Sequence, residues 1–197
     1  MSPISPITIQ QLYELANTPF SLHQFRQRWN EFGWHYQPQS SDPFGFSVRV
    51  SVDQVLAVDP CGDDVICAFL PFLYWEDYDL AQHQDRGEWQ RQRRAYDAAY
   101  ETTTDLANSV LTPSKLHWQD DDVEGHKAAA WPGAHGLLIL QQAAFDVQFG
   151  MEINFWLTRC SEDAFHPTTP LIDWLTRLSQ AEHDRRGFPP HSVDGRG

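Results

Sequence analysis

Residues 136–158 read GLLILQQAAFDVQFGMEINFWLT, and the fold is decided there. Leu137, Leu138, Ile139 and Leu140 form a continuous apolar run, which fits a strand buried on both faces or a piece of buried helix. The following segment separates the two. Met151, Ile153, Phe155 and Leu157 alternate with Glu152, Asn154, Trp156 and Thr158. Period two predicts a strand with one face in the core, because a helix would scatter those four apolar side chains around its circumference. Residues 143–148 read as a short loop, so the two strands are predicted to pair antiparallel. Gly136 and Gly150 mark where each strand starts. Burying one large apolar side chain of such a strand stabilises by roughly 1.5–3 kcal/mol. Trp156 falls on the polar face. Either another element covers it, or it is an exposed aromatic anchor for a partner.

Outward from this hairpin the chain alternates helical and extended patterns. Residues 1–7 read as a loose N-terminus. Thr8 opens a helix with Gln11 three residues on, as in a capping box, and Asn17-Thr18-Pro19 ends it. Ser21 opens a second helix in which Leu22, Phe25, Trp29 and Phe32 share a face, with Gly33 as its C-terminal cap. Residues 37–45 read as a loop. Phe46, Val48, Val50 and Val52 alternate with Ser47, Arg49 and Ser51, which predicts a half-buried strand. Val55–Val58 and Val65–Leu70 read as two more, separated by a turn at residues 59–64. Pro71 either ends the last of these or places it at an edge.

Residues 84–111 predict the longest helix, with Trp89, Tyr96, Thr103 and Val110 repeating every seven. Residues 114–125 read as a polar connector and 126–131 as one more strand. Thr169-Pro170 opens a last helix with Leu171, Trp174, Leu175 and Leu178 on its apolar face. The order helix, strands, helix, strands is a loose internal echo. The predicted fold class is α+β: an antiparallel sheet with helices packed against it in a single domain, residues 8–186, followed by a disordered tail at 187–197.

Composition narrows the function. At 197 residues with eight Trp and twelve Phe, the chain has the length and bulk for a self-supporting core. The formal net charge of −13 argues against binding nucleic acid through its phosphates and against an anionic membrane surface. The acids are unevenly placed. Asp53, Asp59, Asp63, Asp64, Glu76, Asp77, Asp79 and Asp85 occur without an intervening Lys or Arg, and Asp120, Asp121, Asp122 and Glu124 form a second group. Solvated loops, a recognition surface for a basic protein, and a divalent-cation site are the readings such groups allow. The run 120–124 lacks the alternating spacing of a calcium loop.

Three cysteines, Cys61, Cys67 and Cys160, without a CxxC pair predict reduced thiols and a cytoplasmic protein. The N-terminus has no basic region followed by an apolar run, and no apolar stretch approaches ~20 residues. His117, His126 and His135 recur at a nine-residue interval that is not a zinc-ligand spacing. No nucleophile elbow and no phosphate-binding glycine loop is present. The sequence therefore points to no catalytic residue, no cofactor and no metal. Carboxylates converging in an unmarked cleft leave a small hydrolase as the alternative.

The stretch from Tyr96 to Leu157 resembles small acidic bacterial proteins, several of which are grouped with toxin-immunity proteins. The features that carry the resemblance are Leu111-Thr112-Pro113, Ala130-Trp131-Pro132-Gly133, the aliphatic run closing on Gln141-Gln142, and Phe149-Gly150-Met151-Glu152-Ile153. Gly33-Trp34 at the close of the second helix fits as well. The resemblance implies a non-enzymatic binding protein that neutralises a partner by covering its active site. The expected partner is a basic protein, a toxin domain such as a nuclease. The expected contact residues are Asp77, Asp79, Asp120, Asp121, Asp122 and Trp156.

Overall fold

A computed structural model describes residues 3–37, 45–75, 86–114, 116–119, 126–142 and 151–160, together with Arg177, Gln180, Ala181 and Asp184. Three helices, α1 (Pro6–Ala16), α2 (Leu22–Glu31) and α3 (Arg86–Val110), accompany eight strands. The strands are β1 (His35–Gln37), β2 (Phe46–Arg49), β3 (Val55–Cys61), β4 (Asp64–Trp75), β5 (Leu116–Gln119), β6 (Lys127–Pro132), β7 (Leu137–Gln142) and β8 (Met151–Thr158). They form one antiparallel sheet in the order β1-β2-β3-β4-β8-β7-β6-β5. The protein is a single α+β domain. The order reads the same from either edge: two four-stranded meanders, each preceded by helix, meet where β4 pairs with β8. The echo of helix and strands in the sequence is this arrangement.

The central hairpin forms as its alternation requires, with Leu140 opposite Phe155 and Leu138 opposite Leu157. One face of the sheet, the first, takes all three helices. Ile9, Leu12 and Leu15 of α1, Phe25 and Trp29 of α2, and Tyr96, Tyr100 and Ala107 of α3 join Leu138, Leu140, Phe155 and Trp131 in one core. Tyr96 donates from its hydroxyl to the Glu152 carbonyl at 2.7 Å, and Trp131 donates from Nε1 to Asn108 Oδ1 at 3.0 Å, so α3 is fixed to β8 and β6. The second face is also buried along Ala128, Ala130, Leu137, Ile139 and Trp156. Among the described residues, no apolar side chain of the three helices belongs to that second cluster. Burial on both faces is why β7 is a continuous aliphatic run.

Several boundaries differ from the sequence expectation, each for a local reason. α1 starts at Pro6, capped by Ser5, whose Oγ accepts from the Thr8 N–H at 3.0 Å; proline fits the first position because an N–H there would have no helical partner. Ile4 is buried, so the order begins before Thr8. β2 ends at Arg49 and leaves Val52 exposed. β3 runs on through Pro60 to Cys61, and the turn shrinks to Gly62-Asp63, with Gly62 at φ 63°. β4 neither ends at Pro71 nor lies at an edge. It is a central strand, and the register shifts between Pro71 and Leu73, so the proline sits at a bulge where no ladder N–H is needed. β5 lies in the segment read as a polar connector, and β1 lies between the second helix and the predicted loop, where the pattern assigns no element. The predicted C-terminal helix falls outside the described residues except at four helical positions. The tail at 187–197 lies outside them as well. Among the described residues no helix is long and apolar enough to cross a membrane.

The turn between β6 and β7 docks on the end of α1. His135 N–H donates to the Ala16 carbonyl at 3.0 Å, Ala134 N–H to Asn17 Oδ1 at 2.9 Å, and the Tyr13 hydroxyl to the Pro132 carbonyl at 2.9 Å. The close approach needs glycine at both ends of the turn. A methyl group on Gly136 would overlap the Thr158 carbonyl oxygen and the Phe20 ring, and one on Gly133 would overlap the backbone of Ala16. Gly136→Ala is therefore expected to cost about 1–3 kcal/mol. The midpoint and slope of urea unfolding measure it, and an unchanged midpoint would remove the packing role given to this glycine.

Candidate functional site

Strand direction decides which loops share an end of the sheet. Trp75, the last residue of β4, pairs with Met151, the first of β8. Gln142, the last of β7, pairs with Lys127, the first of β6, and Lys127 in turn pairs with Gln119, the last of β5. The chain therefore leaves β4 into residues 76–85 and leaves β5 into residues 120–125 from the same end. Four strand spacings separate these two exits, about 19 Å. Glu152, at the start of β8, lies between them and is half-buried. Asp77, Asp79, Asp120, Asp121 and Asp122 themselves lie outside the described residues.

The N-terminal half of α3 reaches the same end. There Asp97 accepts from Arg93 Nε at 2.9 Å and from Gln142 Nε2 at 2.9 Å, and Lys127 Nζ lies 3.3 Å away. Burial alone would raise the Asp97 carboxyl. The hydrogen bonds from Gln142 and Arg93 and the charges of Arg93 and Lys127 outweigh it and hold the group below the usual carboxylate range. Two cations of this end are thus paired with a carboxylate on the first face. Arg91 and Arg94 are exposed on α3.

Trp156 is 5% exposed. Of its two readings, coverage is the one observed, and the exposed aromatic anchor is corrected. Its ring stacks on Phe69 with centroids 4.9 Å apart, and Nε1 donates to Gln141 Oε1 at 2.7 Å. The amide nitrogen of Gln141 then faces His126 Nε2 at 3.0 Å. An indole N–H only donates, so it fixes the Gln141 oxygen toward Trp156 and the nitrogen toward His126. His126 Nε2 is therefore the acceptor, and the neutral ring carries its proton on Nδ1. Trp118 meets the same ring edge-on at 4.8 Å. Nitrogen-15 chemical shifts of the imidazole check this. A protonated Nε2 in the folded protein at neutral pH would contradict the chain of hydrogen bonds from Trp156 to His126.

The residues weighed for catalysis are placed as follows. His126, buried, immediately precedes β6, whereas His135 lies exposed in the turn after its other end, and His117 is exposed on β5. Among the described residues no three His, Cys, Asp or Glu side chains are grouped to hold a metal. His117 Nε2 lies 3.0 Å from Ser114 Oγ, a local contact across three residues at the exposed start of β5. The three cysteines form no disulfide; burial and the neighbouring Asp59 carboxylate push Cys67 up, and burial pushes Cys160 up to about 11, which disfavours thiolate nucleophiles. A polar cleft between α1 and α2 is lined by Asn17, Thr18, Gln24 and Arg28, where Asn17 and Thr18 already donate to carbonyls of α1.

The Gln141–His126 link is not legible in the sequence. Period two places Glu152, Asn154 and Trp156 on one face, but the side chains that Trp156 meets come from β4 and β7. Together the observations define a class: an α+β protein with an open eight-stranded antiparallel sheet, the three helices α1, α2 and α3 on one face, and the chain leaving β4 and β5 from one end. Comparison with protein-family models, with curated proteins and with solved structures finds no match in any of the three.

Proposed function

We propose that this is a non-enzymatic binding protein of the immunity type, which neutralises a basic protein partner, such as a toxin domain, through the acidic end of its sheet. One observation supports the reading above the others. The chain leaves β4 and β5, toward two acidic stretches more than thirty residues apart in sequence, from the same end of the sheet. Negative charge gathered at one end attracts a basic surface and excludes acidic ones. The net charge of −13 acts in the same direction. Asp77, Asp79, Asp120, Asp121 and Asp122 supply the attraction. Trp156 contributes by holding the second face of the sheet rather than by touching the partner.

Affinity capture from the source cell with the full chain as bait tests the reading. A retained basic protein whose association rate falls as ionic strength rises is the expected result. A partner that associates equally fast at low and high salt would remove the electrostatic role, and a retained acidic protein or small metabolite would replace the reading altogether.

A further inference from the structure

We propose that Glu152 and Asn154, at the acidic end of the sheet, form a receptor for an organic cation, a guanidinium or an alkylammonium group. The proposal rests on the function above for its source: the cation is an arginine or lysine side chain of the basic partner. Asn154 is 4% exposed and lies on the second face of β8, beside Glu152. Its Nδ2 donates to Glu152 Oε2 at 3.0 Å. Its Oδ1 is buried and receives no hydrogen bond. Buried polar groups are nearly always paired, so an open acceptor beside a carboxylate points to a donor that is not part of this chain.

The neighbouring strands explain why the chain supplies none. On β4 the residue in register with Asn154 is Pro71, whose side chain carries no donor, and the register shifts just beyond it. On β7 it is Gln141, whose amide nitrogen is turned to His126 because its oxygen holds the Trp156 indole. What remains is an amide oxygen and a carboxylate side by side, two acceptors carrying one negative charge. A cation with several N–H donors complements both, and a planar guanidinium presents them as a fork. Glu152 is half-buried where Asn154 is 4% exposed, so in this proposal the cation approaches on the side of Glu152. The acidic exits on either side raise the local concentration of cations there.

The test uses the full nitrogen-15-labelled chain and agmatine, a guanidinium on a short alkyl chain. Agmatine is expected to produce saturable shifts of the Asn154 side-chain amide and the Trp156 indole N–H. Butylurea, uncharged, is expected to produce none. In Glu152→Gln, which keeps the backbone acceptor used by Tyr96, the affinity is expected to fall by about tenfold, the factor that 1.4 kcal/mol represents. In Asn154→Leu saturation is expected to disappear while the fold persists, since the change removes an unpaired acceptor. Shifts that never saturate, or that saturate equally in Glu152→Gln or with butylurea, overturn the receptor. Saturation by agmatine with no basic protein retained in the capture experiment upholds the receptor and overturns only the partner reading. A retained basic protein with no agmatine saturation does the reverse.

Discussion

Trp131→Ala is expected to destabilise the protein by about 3–5 kcal/mol, a large part of what a domain of this size has. Trp131 is 2% exposed and sits on the first face of β6. Its ring lies 6.4 Å from that of Phe155, in the core shared with the three helices. Its indole N–H reaches Asn108 on α3, and Asn108 Oδ1 also accepts from the Ser114 N–H at 2.8 Å. Truncation therefore opens a cavity and loosens the hold of α3 on the sheet together. Trp131→Phe separates the two effects. It keeps most of the ring and loses the hydrogen bond, for an expected cost of about 0.5–1.5 kcal/mol beyond the volume lost. Urea unfolding followed by tryptophan fluorescence and far-UV circular dichroism measures both. An alanine variant within about 1 kcal/mol of the parent would mean that the site collapses around the deletion, and the keystone role of Trp131 would fall.

Neutralising Asp77, Asp79, Asp120, Asp121 and Asp122 to asparagine is expected to slow association with a basic protein partner about tenfold to a hundredfold at low salt. The dissociation rate should change much less, because long-range attraction acts on the encounter rather than on the docked state. Raising ionic strength should bring the two association rates together, since salt screens attraction beyond a Debye length of about 8 Å at physiological strength. Stability should stay close to that of the parent, because Asp97 and Asp64, the carboxylates in described ion pairs at α3 and β4, are untouched. Stopped-flow or surface-plasmon kinetics at two salt concentrations decide the matter. Equal association rates for parent and variant at low salt would show that the acids are solvating charge and no more. Trp156→Ala is not a clean companion to this experiment: its ring packs on Phe69 and holds Gln141, so its loss acts on the fold first.

The cation receptor and the acidic end make separate demands on the chain. The acids act at a distance and tolerate variation in position. Glu152 and Asn154 act at contact and depend on register. A one-residue slip of β8 against β7 would send both to the first face and bring Ile153 and Phe155 to the second. The pairing of Leu140 with Phe155 and Gln141 with Asn154 is thus as necessary to the site as the side chains themselves.

Local pattern determined much of this protein. Alternation in 151–158 and the aliphatic run in 137–140 specified two adjoining strands, because side chains in a strand change face at every residue. Ser21 with Phe25 and Trp29 specified a capped amphipathic helix, and the heptad through Tyr96 and Thr103 specified a long one, because both signals lie within a few residues of each other. Tertiary structure decided the rest. β1 and β5 have too few residues to show a period and exist because β2 and β6 present unpaired backbone to them. Pro71 reads as a terminator until the bulge at that point gives it a place in a central strand. The chain leaves β4 and β5 toward its acidic stretches from one end, and Asn154 lacks a donor, only because of which strands lie side by side. Strand order is set by pairing between residues far apart in the chain, and no window of sequence contains both partners.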